Sequence, residues 1–202
     1  MIMQKIVKLF FCKILYRVEY INLEKIKKID KCLICPNHSN IFDPTFIYPI
    51  VDNLYIMAKV ELFKNPIISK FLKGHKVFPI NRERTDVQST LYAISLLEKE
   101  DNRKLLMFPE GGILKENERG RKIRNGAVFI ACSSNTPIIP VYITEKPKLF
   151  HKVQVIFGDP VRIDSSIKNN KSAIKEKSNE LIKIIYKLKE NNMWYLYLAK
   201  EY

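Results

Sequence analysis

A chain of 202 residues with 47% hydrophobic and 28% charged residues has an ordinary globular composition, which excludes disordered, fibrous and disulfide-scaffold classes. Its 35 basic and 21 acidic residues give a net charge of +14, so we expect an anionic partner: nucleic acid, lipid headgroups, an acidic protein or a phosphorylated substrate. Charges interrupt the apolar runs before they reach the roughly 20 residues that cross a bilayer, so no transmembrane helix is predicted.

The first segment, residues 2–18, has the pattern of a basic amphipathic helix. Its apolar residues fall near one stripe and its basic residues largely elsewhere, namely Ile2, Ile6, Leu9, Phe10, Ile14 and Tyr16 against Lys5, Lys8, Lys13 and Arg17. Such a helix can lie in the interface of an anionic membrane, where each nearby Lys or Arg adds about 1 kcal/mol of attraction. The alternative is that its apolar stripe packs against the rest of the protein.

Seven short apolar runs with strand character follow along the chain. They cover residues 18–23, 32–36, 54–58, 76–80, 105–108, 137–143 and 153–156. Helical patterns at 85–99 and 125–133 lie between strands, and 171–189 reads as a C-terminal amphipathic helix. This order predicts an α/β fold, with a central mixed, largely parallel sheet of about seven strands flanked by helices.

The first candidate site is the turn after the predicted strand at 32–36, where His38 and Asp43 are close in sequence. An imidazole can act as a general base near neutral pH, and a carboxylate on its other nitrogen would fix the tautomer and stabilise the imidazolium. Such a dyad could activate a substrate hydroxyl directly. Alternatively, Asp43 before Pro44 is a helix N-cap, and His38 is an ordinary loop histidine.

A metal site is a second interpretation of the same region, because Cys32, Cys35 and His38 are all possible zinc ligands. A zinc site needs a fourth ligand at a suitable spacing, whereas Cys12 and Cys132 each stand alone. The two nearby cysteines are therefore expected to pack inside a strand, and no metal is predicted. Four cysteines without a secretory cleavage site also indicate a reducing compartment.

Basic side chains follow two further predicted strands. Lys59 comes at the end of one, and Arg82 and Arg84 lie in the turn after the next. A guanidinium donates hydrogen bonds in a fork that matches phosphate oxygens, so these residues are candidates for a phosphate site. For each arginine alone, a solvated surface charge is the alternative, and His75 is interpreted as a non-catalytic neighbour.

Another polar turn follows the predicted strand at 105–108 and contains Glu110, Gly111 and Gly112. Paired glycines let the backbone approach a ligand closely, and their N–H groups can contact an anion. Glu110 could bind a hydroxyl or orient basic side chains. A tight turn with solvated charges is the alternative. The basic stretch that follows contains Arg119, Arg121, Lys122 and Arg124.

These blocks, in this order, resemble the family of 1-acylglycerol-3-phosphate acyltransferases and their glycerolipid acyltransferase relatives. His38 with Asp43 is similar to the family's His-x4-Asp block, and residues 78–82 to its phosphate-binding block. Residues 108–112 are similar to its Phe-Pro-Glu-Gly block, and 137–141 to its proline-containing block. The resemblance covers residues 30–145, and four ordered blocks would rarely coincide in an unrelated chain.

The chain length fits a single domain over residues 1–202, with the amphipathic residues 1–20 as a membrane-surface segment. The resemblance implies that this is an acyltransferase domain at the cytoplasmic face of the cell membrane. The implied reaction moves a fatty acyl group from acyl-carrier protein or coenzyme A to 1-acyl-sn-glycerol-3-phosphate, in phospholipid biosynthesis. Its implied partners are an anionic membrane surface, the thioester donor and a lysophospholipid acceptor, without nucleic acid. No metal, acyl-enzyme or cofactor is implied beyond the thioester co-substrate.

The resemblance also implies roles for the site residues. His38 would remove the proton from the acceptor hydroxyl, and Asp43 would orient it. The implied acceptor site consists of Arg82 and Lys59 on the phosphate, together with Glu110, Gly111 and Gly112.

Two departures from the family pattern concern the acceptor. Ser39 and Asn40 replace the usual Arg or Gln followed by Ser, and the arginine expected shortly after Gly112 is missing. We expect a nearby cation to substitute for it, with Arg121, Lys122 and Arg124 as candidates. The alternative functions are an acyltransferase with a different lipid acceptor and an inactive lipid-binding protein. A nucleic-acid module would rest on charge alone.

Overall fold

The structure is a computed structural model that describes residues 2–99, 102–121 and 123–198. Strands alternate with helices along most of this length, as the sequence pattern predicts. The strands are β1 (Arg17–Ile21), β2 (Cys32–Pro36), β3 (Leu54–Lys59), β4 (Val77–Ile80), β5 (Lys104–Leu106), β6 (Ile138–Ile143) and β7 (Lys152–Phe157). The α-helices are α1 (Ile2–Val7), α2 (Glu24–Lys27), α3 (Asp43–Ile47), α4 (Pro66–Gly74), α5 (Val87–Lys99), α6 (Gly126–Ser133) and α7 (Lys171–Leu198).

The strands form one seven-stranded sheet in the order β1-β7-β6-β2-β5-β3-β4. Neighbouring strands are parallel except for β6 and β7, which pair antiparallel. The adjacent inner strands β6, β2 and β5 are buried along their whole length, as is typical of parallel strands covered on both faces. The predicted fold, a mixed and largely parallel sheet flanked by helices, is confirmed.

Two buried apolar clusters cover the two faces of the sheet. One contains Leu33 and Cys35 and packs against α5, α6 and α7, and the other contains Cys32 and Ile34 and packs against the N-terminal segment and α3. Because side chains of a strand alternate between faces, Cys32 and Cys35 lie on opposite sides of the sheet and cannot bind one metal ion together. Burial also raises the pKa of the Cys32 thiol to about 12.

The topology brings the candidate blocks to one edge of the sheet. Strands β2, β5, β3 and β4 are adjacent and parallel, so their carboxyl ends lie side by side. His38 follows β2, Lys59 ends β3, Arg82 follows β4 and residues 108–112 follow β5. Since β5 inserts between β2 and β3, blocks that are distant along the chain become neighbours in space.

The N-terminal segment continues from α1 into a π-helix at Lys8–Leu15 and ends before residue 18. The Tyr16 N–H donates to the carbonyl of Phe11, five residues back, over 2.9 Å, which is the spacing of a π-helix. The predicted apolar stripe is divided. Tyr16 is buried in the core, whereas its other five residues are exposed, namely Ile2, Ile6, Leu9, Phe10 and Ile14.

Other residues of the same segment attach it to α3 and to the turn that follows α3. The side-chain amide of Gln4 donates to the carbonyls of Tyr48 and Val51, both over 3.2 Å, and the buried Cys12 thiol donates to the carbonyl of Thr45. The segment is therefore docked on one side and presents an apolar row on the other. Within the described residues, no helix is long and apolar enough to cross a membrane.

Candidate active site

His38 and Asp43 are joined by a direct hydrogen bond. Nδ1 of His38 lies 3.0 Å from Oδ2 of Asp43, and the same oxygen accepts the N–H groups of Ser39 and Asn40 over 2.7 and 2.9 Å. Because the carboxylate oxygen is an acceptor, Nδ1 carries the hydrogen and Nε2 is the basic nitrogen of the neutral ring. This arrangement has the geometry of a general-base dyad.

The N-cap alternative for Asp43 does not describe these contacts. Asp43 is the first residue of α3, and no side chain caps this helix. Its carboxylate instead points back to the loop at 38–40 and is completely buried. All three donors bind Oδ2 and hold the loop and the imidazole as one unit, whereas Oδ1 is buried without a hydrogen-bond partner among the described residues.

The ring of His38 is also held from its flat side. It stacks on Phe108 with 3.9 Å between ring centroids and 23° between planes. Its backbone N–H donates to Oε2 of Glu110 over 3.4 Å. The loops after β2 and β5 therefore fix the imidazole together, and Phe108 acquires a role in the site that the sequence analysis did not assign.

Asn37 anchors the same loop to β6. Its side-chain amide donates to the carbonyl of Ile143 over 2.9 Å, and its carbonyl oxygen accepts the Ile143 N–H over 2.7 Å. Asn37 is fully buried, and these two bonds satisfy its side chain and link the residue after β2 to the end of β6. The polar Asn37 between a buried strand and His38 could have indicated such a contact, but the sequence analysis assigned Asn37 no role.

A cavity of about 490 Å³ opens in front of His38. The structure brings most of the predicted site residues together on its wall, namely His38, Lys59, Arg82, Gly111, Gly112 and Arg124. Asp43 lies behind His38 and does not line this cavity. Lys59 is half exposed and pairs with Glu61 over 3.3 Å, so it lies at the cavity with its charge partly compensated.

Arg82 and Arg124 are the cations directly available to a bound anion. Burial and the neighbouring charge of Arg124 lower the pKa of Arg82. Within the part of the chain that the structure describes, neither guanidinium forms an ion pair with a carboxylate. Two adjacent cations that repel each other favour an anion between them, and a phosphate matches their geometry.

Arg124 is the candidate substitute for the missing arginine that the structure places in the cavity. Its side chain packs over Gly111, whose φ of +78° and lack of a Cβ leave the required space. Arg121 does not line the cavity, and Lys122 lies outside the described residues. The second guanidinium therefore comes from the residues just before α6, and not from the turn that contains Gly111 and Gly112.

Glu110 lies behind the cavity wall and is only 1% exposed. Its Oε1 accepts the hydroxyl of Tyr186 over 2.8 Å, and Oε2 accepts the His38 N–H. Burial raises the pKa of this carboxyl to about 7, although both donors oppose the shift. Glu110 therefore contacts the loop that carries His38, whereas the sequence analysis placed it on the acceptor. Tyr186 was predicted only as part of an amphipathic helix.

A second, strongly apolar cavity of about 240 Å³ adjoins the first. It lies between α1 and α4, with Val7 and Phe71 on its two sides, and His75 on its wall. The two cavities share the side chains of Ile41, Pro44, Ile56, Ala58 and Leu62. The cavity that contains the candidate base and the cations thus adjoins an apolar one.

The fold and this site define the class of protein. The sequence model of the family described as Acyltransferase matches residues 17–144, which include His38, Asp43, Arg82, Glu110 and Arg124. The chain therefore belongs to the acyltransferase family.

Individual relatives specify which members of this family the chain is similar to. The 1-acyl-sn-glycerol-3-phosphate acyltransferase of Streptococcus pneumoniae is 30% identical over 186 residues, which are 87% of this chain and 68% of the relative. The enzyme of the same name from Haemophilus influenzae is 27% identical over 76% of this chain and 68% of the relative. That of Bacillus subtilis is 32% identical, but only over 54% of each chain. These matches confirm the family predicted from the four blocks.

A solved structure has the same fold. It is the 1-acyl-sn-glycerophosphate (LPA) acyltransferase PlsC from Thermotoga maritima, with a TM-score of 0.70 and 21% identity. The match covers 94% of this chain and 78% of that protein. The chain therefore shares its seven-stranded sheet and flanking helices with the Thermotoga maritima protein.

Proposed function

We propose that this chain transfers a fatty acyl group from an acyl-carrier-protein or acyl-coenzyme A thioester to the hydroxyl of 1-acyl-sn-glycerol-3-phosphate. The observation that carries the proposal is that His38, Arg82 and Arg124 line one cavity. An acceptor with both a hydroxyl and a phosphate requires a base and a cationic site at once. The names of the relatives from S. pneumoniae and H. influenzae support the same acceptor.

In the proposed reaction His38 is the general base. Its Nε2 removes the proton of the acceptor hydroxyl while the oxygen attacks the thioester carbonyl carbon. Asp43 holds the Nδ1–H, 3.0 Å away, and stabilises the imidazolium. The C–S bond then breaks, and the imidazolium returns the proton to the thiolate. An ester and a free thiol leave, so the step needs no cofactor, metal or acyl-enzyme.

Arg82 and Arg124 are the proposed phosphate ligands of the acceptor. Among the described residues neither forms a close ion pair with a carboxylate, and only a weaker attraction by Glu61 acts on Arg82, so no existing ion pair is given up when the phosphate binds. Gly111 and Gly112 form the adjacent wall, and Lys59 adds a positive charge that is partly compensated by Glu61. Fixing the phosphate would orient the hydroxyl relative to Nε2, which converts binding energy into positioning.

The apolar cavity between α1 and α4 is the proposed place for a fatty acyl chain. Its wall consists almost entirely of apolar side chains, and it shares part of this wall with the cavity of His38. Each methylene buried there would contribute about 0.8 kcal/mol to binding. The carbonyl end of the chain would then lie beside the imidazole.

We further propose that the enzyme works peripherally at the cytoplasmic face of the membrane. Exposed apolar side chains occur on both elements that flank the apolar cavity, namely Ile2, Ile6, Leu9, Phe10 and Ile14 beside Ile67, Ile68 and Phe71. Lys5, Lys8 and Lys13 are exposed in the same segment and would attract anionic lipids. A lipid could then pass from the membrane into the cavity without crossing water.

The test is a free-thiol release assay on the purified chain, with both donor types and a panel of acceptors that includes 1-acyl-sn-glycerol-3-phosphate, glycerol 3-phosphate and other lysolipids. We expect release with 1-acyl-sn-glycerol-3-phosphate. His38→Ala should lower the rate at least about a hundredfold, since general-base catalysis contributes this much or more. His151→Ala is the matched control, because His151 is exposed and bonds to the carbonyl of Leu149, outside this cavity.

Each contrary result has a distinct meaning. Full turnover in His38→Ala would remove this residue from the mechanism. Release only with another lysolipid would change the acceptor. Absence of release with every donor and acceptor, in a chain that binds lipid vesicles, would favour the inactive lipid-binding protein.

A further inference from the structure

A third cavity, of about 500 Å³, adjoins the cavity of His38. The two share five lining residues, and together with the apolar cavity we call them the cleft. The shared residues are Met57, Arg82, Phe108, Gly111 and Arg124. The proposed reaction brings two phosphorylated substrates to one base, but the cavity of His38 accounts for the phosphate of the acceptor alone.

The third cavity carries its own cations, on two separate elements. Arg84 comes from the loop between β4 and α5, and Lys175 comes from the first turns of α7. Among the residues that the structure describes, neither takes part in an ion pair within hydrogen-bonding distance. These two cations are therefore available to a second anion.

The acidic side chain of this cavity is already occupied. Asp86 accepts the N–H of Asn81 over 2.8 Å, together with the N–H and the hydroxyl of Ser89 over 3.0 and 2.8 Å. These bonds, with a smaller effect of Arg84, lower the pKa of the carboxyl. Its charge thus serves to fix the start of α5, and the cavity remains cationic on balance.

The remaining wall offers neutral hydrogen-bonding groups. Thr85, Thr90, Asn125 and Asn179 all line it, and they come from three parts of the chain: the start of α5, the start of α6 and α7. Amide and hydroxyl side chains are suited to an elongated ligand with amide groups, whereas the apolar cavity beyond His38 is suited to a hydrocarbon chain. The cleft therefore changes along its length from apolar, through the base, to polar and cationic.

We propose that the third cavity binds the phosphopantetheine arm of the thioester donor, with its phosphate on Arg84 and Lys175. This inference rests on the proposed function. The arm has a phosphate at one end, two amides in its middle and the thioester sulfur at the other end. Bound in this direction, the arm places its thioester at His38 and its acyl chain in the apolar cavity. The arm is common to acyl-coenzyme A and acyl-carrier protein, so the site serves either donor.

The test compares Arg84→Glu and Lys175→Glu in steady-state assays with each donor varied at saturating acceptor. We expect the KM for both donors to rise about tenfold in each variant, as expected for the loss of a charge-assisted hydrogen bond. The KM for the acceptor should stay within about twofold, because Arg82 and Arg124 are untouched. Lys183→Glu is the matched control, since Lys183 is exposed on α7 and does not line this cavity.

A binding measurement separates this inference from the proposed function. Phosphopantetheine and pantetheine are titrated into the wild-type chain by calorimetry, without acceptor, so the result does not depend on turnover. Tighter binding of phosphopantetheine, lost in both charge-reversal variants and kept in Lys183→Glu, would support the site.

Three outcomes would overturn the inference while leaving the acyltransferase intact. They are an unchanged donor KM in an active enzyme, a rise in the acceptor KM in place of the donor KM, and a rise confined to the coenzyme A donor. The last result would assign the cations to the nucleotide end of coenzyme A. A wild-type chain that binds phosphopantetheine but releases no thiol would instead refute the proposed function alone.

Discussion

Tyr186 donates a hydrogen bond from its hydroxyl to Oε1 of Glu110 over 2.8 Å, and so joins the C-terminal helix α7 to the loop that follows β5. Glu110 in turn accepts the N–H of His38. The helix is thereby connected to the candidate base through one buried carboxylate. A hydroxyl that does not line the substrate cavity thus helps to position the loop that carries the imidazole.

Tyr186→Phe should weaken this connection. The buried carboxylate would lose a donor, so we expect the free energy of unfolding to fall by about 1–3 kcal/mol and kcat to fall several-fold. KM should change little, because Tyr186 lines none of the three cavities of the cleft. Urea denaturation and steady-state kinetics measure these effects.

Tyr142→Phe is the control for that experiment. Its hydroxyl is also bonded to a carboxylate, Glu145, over 3.1 Å, and its ring packs against Tyr186, but it does not contact Glu110. It should lose comparable stability and keep its kcat. Equal kcat values in the two variants would contradict a positioning role for Tyr186.

Glu110 makes stability depend on pH in an unusual direction. Burial raises its folded-state pKa from 4.5 to about 7, so between these values the folded chain holds a proton that the unfolded chain releases. The stabilisation is complete below the unfolded pKa and is lost as pH rises through about 7. A shift of this size corresponds to about 3 kcal/mol.

Glu110→Gln should remove the loss of stability that the Glu110 carboxyl causes as pH rises. We expect the wild-type chain to lose more stability than the variant between pH 5 and pH 8, measured by urea denaturation at each pH. Other titrating groups are common to both chains and cancel in the comparison. Parallel stability curves would show that the carboxyl does not titrate in this range.

Gly111→Ala should displace Arg124. A Cβ at Gly111 would collide with the Arg124 side chain, and its φ of +78° adds about 1–2 kcal/mol of backbone strain. We expect the acceptor KM to rise about tenfold through the lost phosphate contact. Gly112→Ala is the control, because the nearest neighbour of its Cβ would be Arg82 Nη1 at 4.0 Å. Similar acceptor KM values in both variants would argue against Arg124 as a phosphate ligand.

The parts of this site that could be predicted from the sequence are those encoded in short local patterns of apolar and polar residues. The apolar run that became β2 is bounded by polar residues, so both the strand and the position of His38 at its end were readable. The blocks at 78–82 and 108–112 were readable for the same reason. Their proximity was predictable only through the family resemblance, because strand order is not encoded in local periodicity.

Contacts between distant residues account for what was missed. Tyr186 and Glu110 are 76 residues apart, and Asn37 and Ile143 are 106 apart. Helical spacing predicts that Tyr186 lies on a helix, but not which buried carboxylate it meets. The division of the N-terminal stripe has a similar origin, since the change to a π-helix alters which residues face the sheet.

The exposed apolar row of the N-terminal segment predicts membrane binding. Leu9 and Phe10 are 57% and 48% exposed, and insertion of both would contribute about 3 kcal/mol or more. The double variant Leu9→Glu/Phe10→Glu should therefore lower the apparent affinity for anionic lipid vesicles at least about a hundredfold. Co-sedimentation with the vesicles measures this affinity. Added salt should weaken wild-type binding further, because the neighbouring lysines contribute through charge.

A matched pair on the opposite face of the sheet controls for charge. Val87 and Leu91 are each 58% exposed on α5, which packs against the other apolar cluster. Val87→Glu/Leu91→Glu makes the same change in net charge and removes a similar amount of exposed apolar surface. If both double variants lose vesicle binding equally, net charge rather than the N-terminal row drives binding. If only the N-terminal variant loses it, this row is the membrane-contacting surface, and the apolar cavity between α1 and α4 opens beside the lipid.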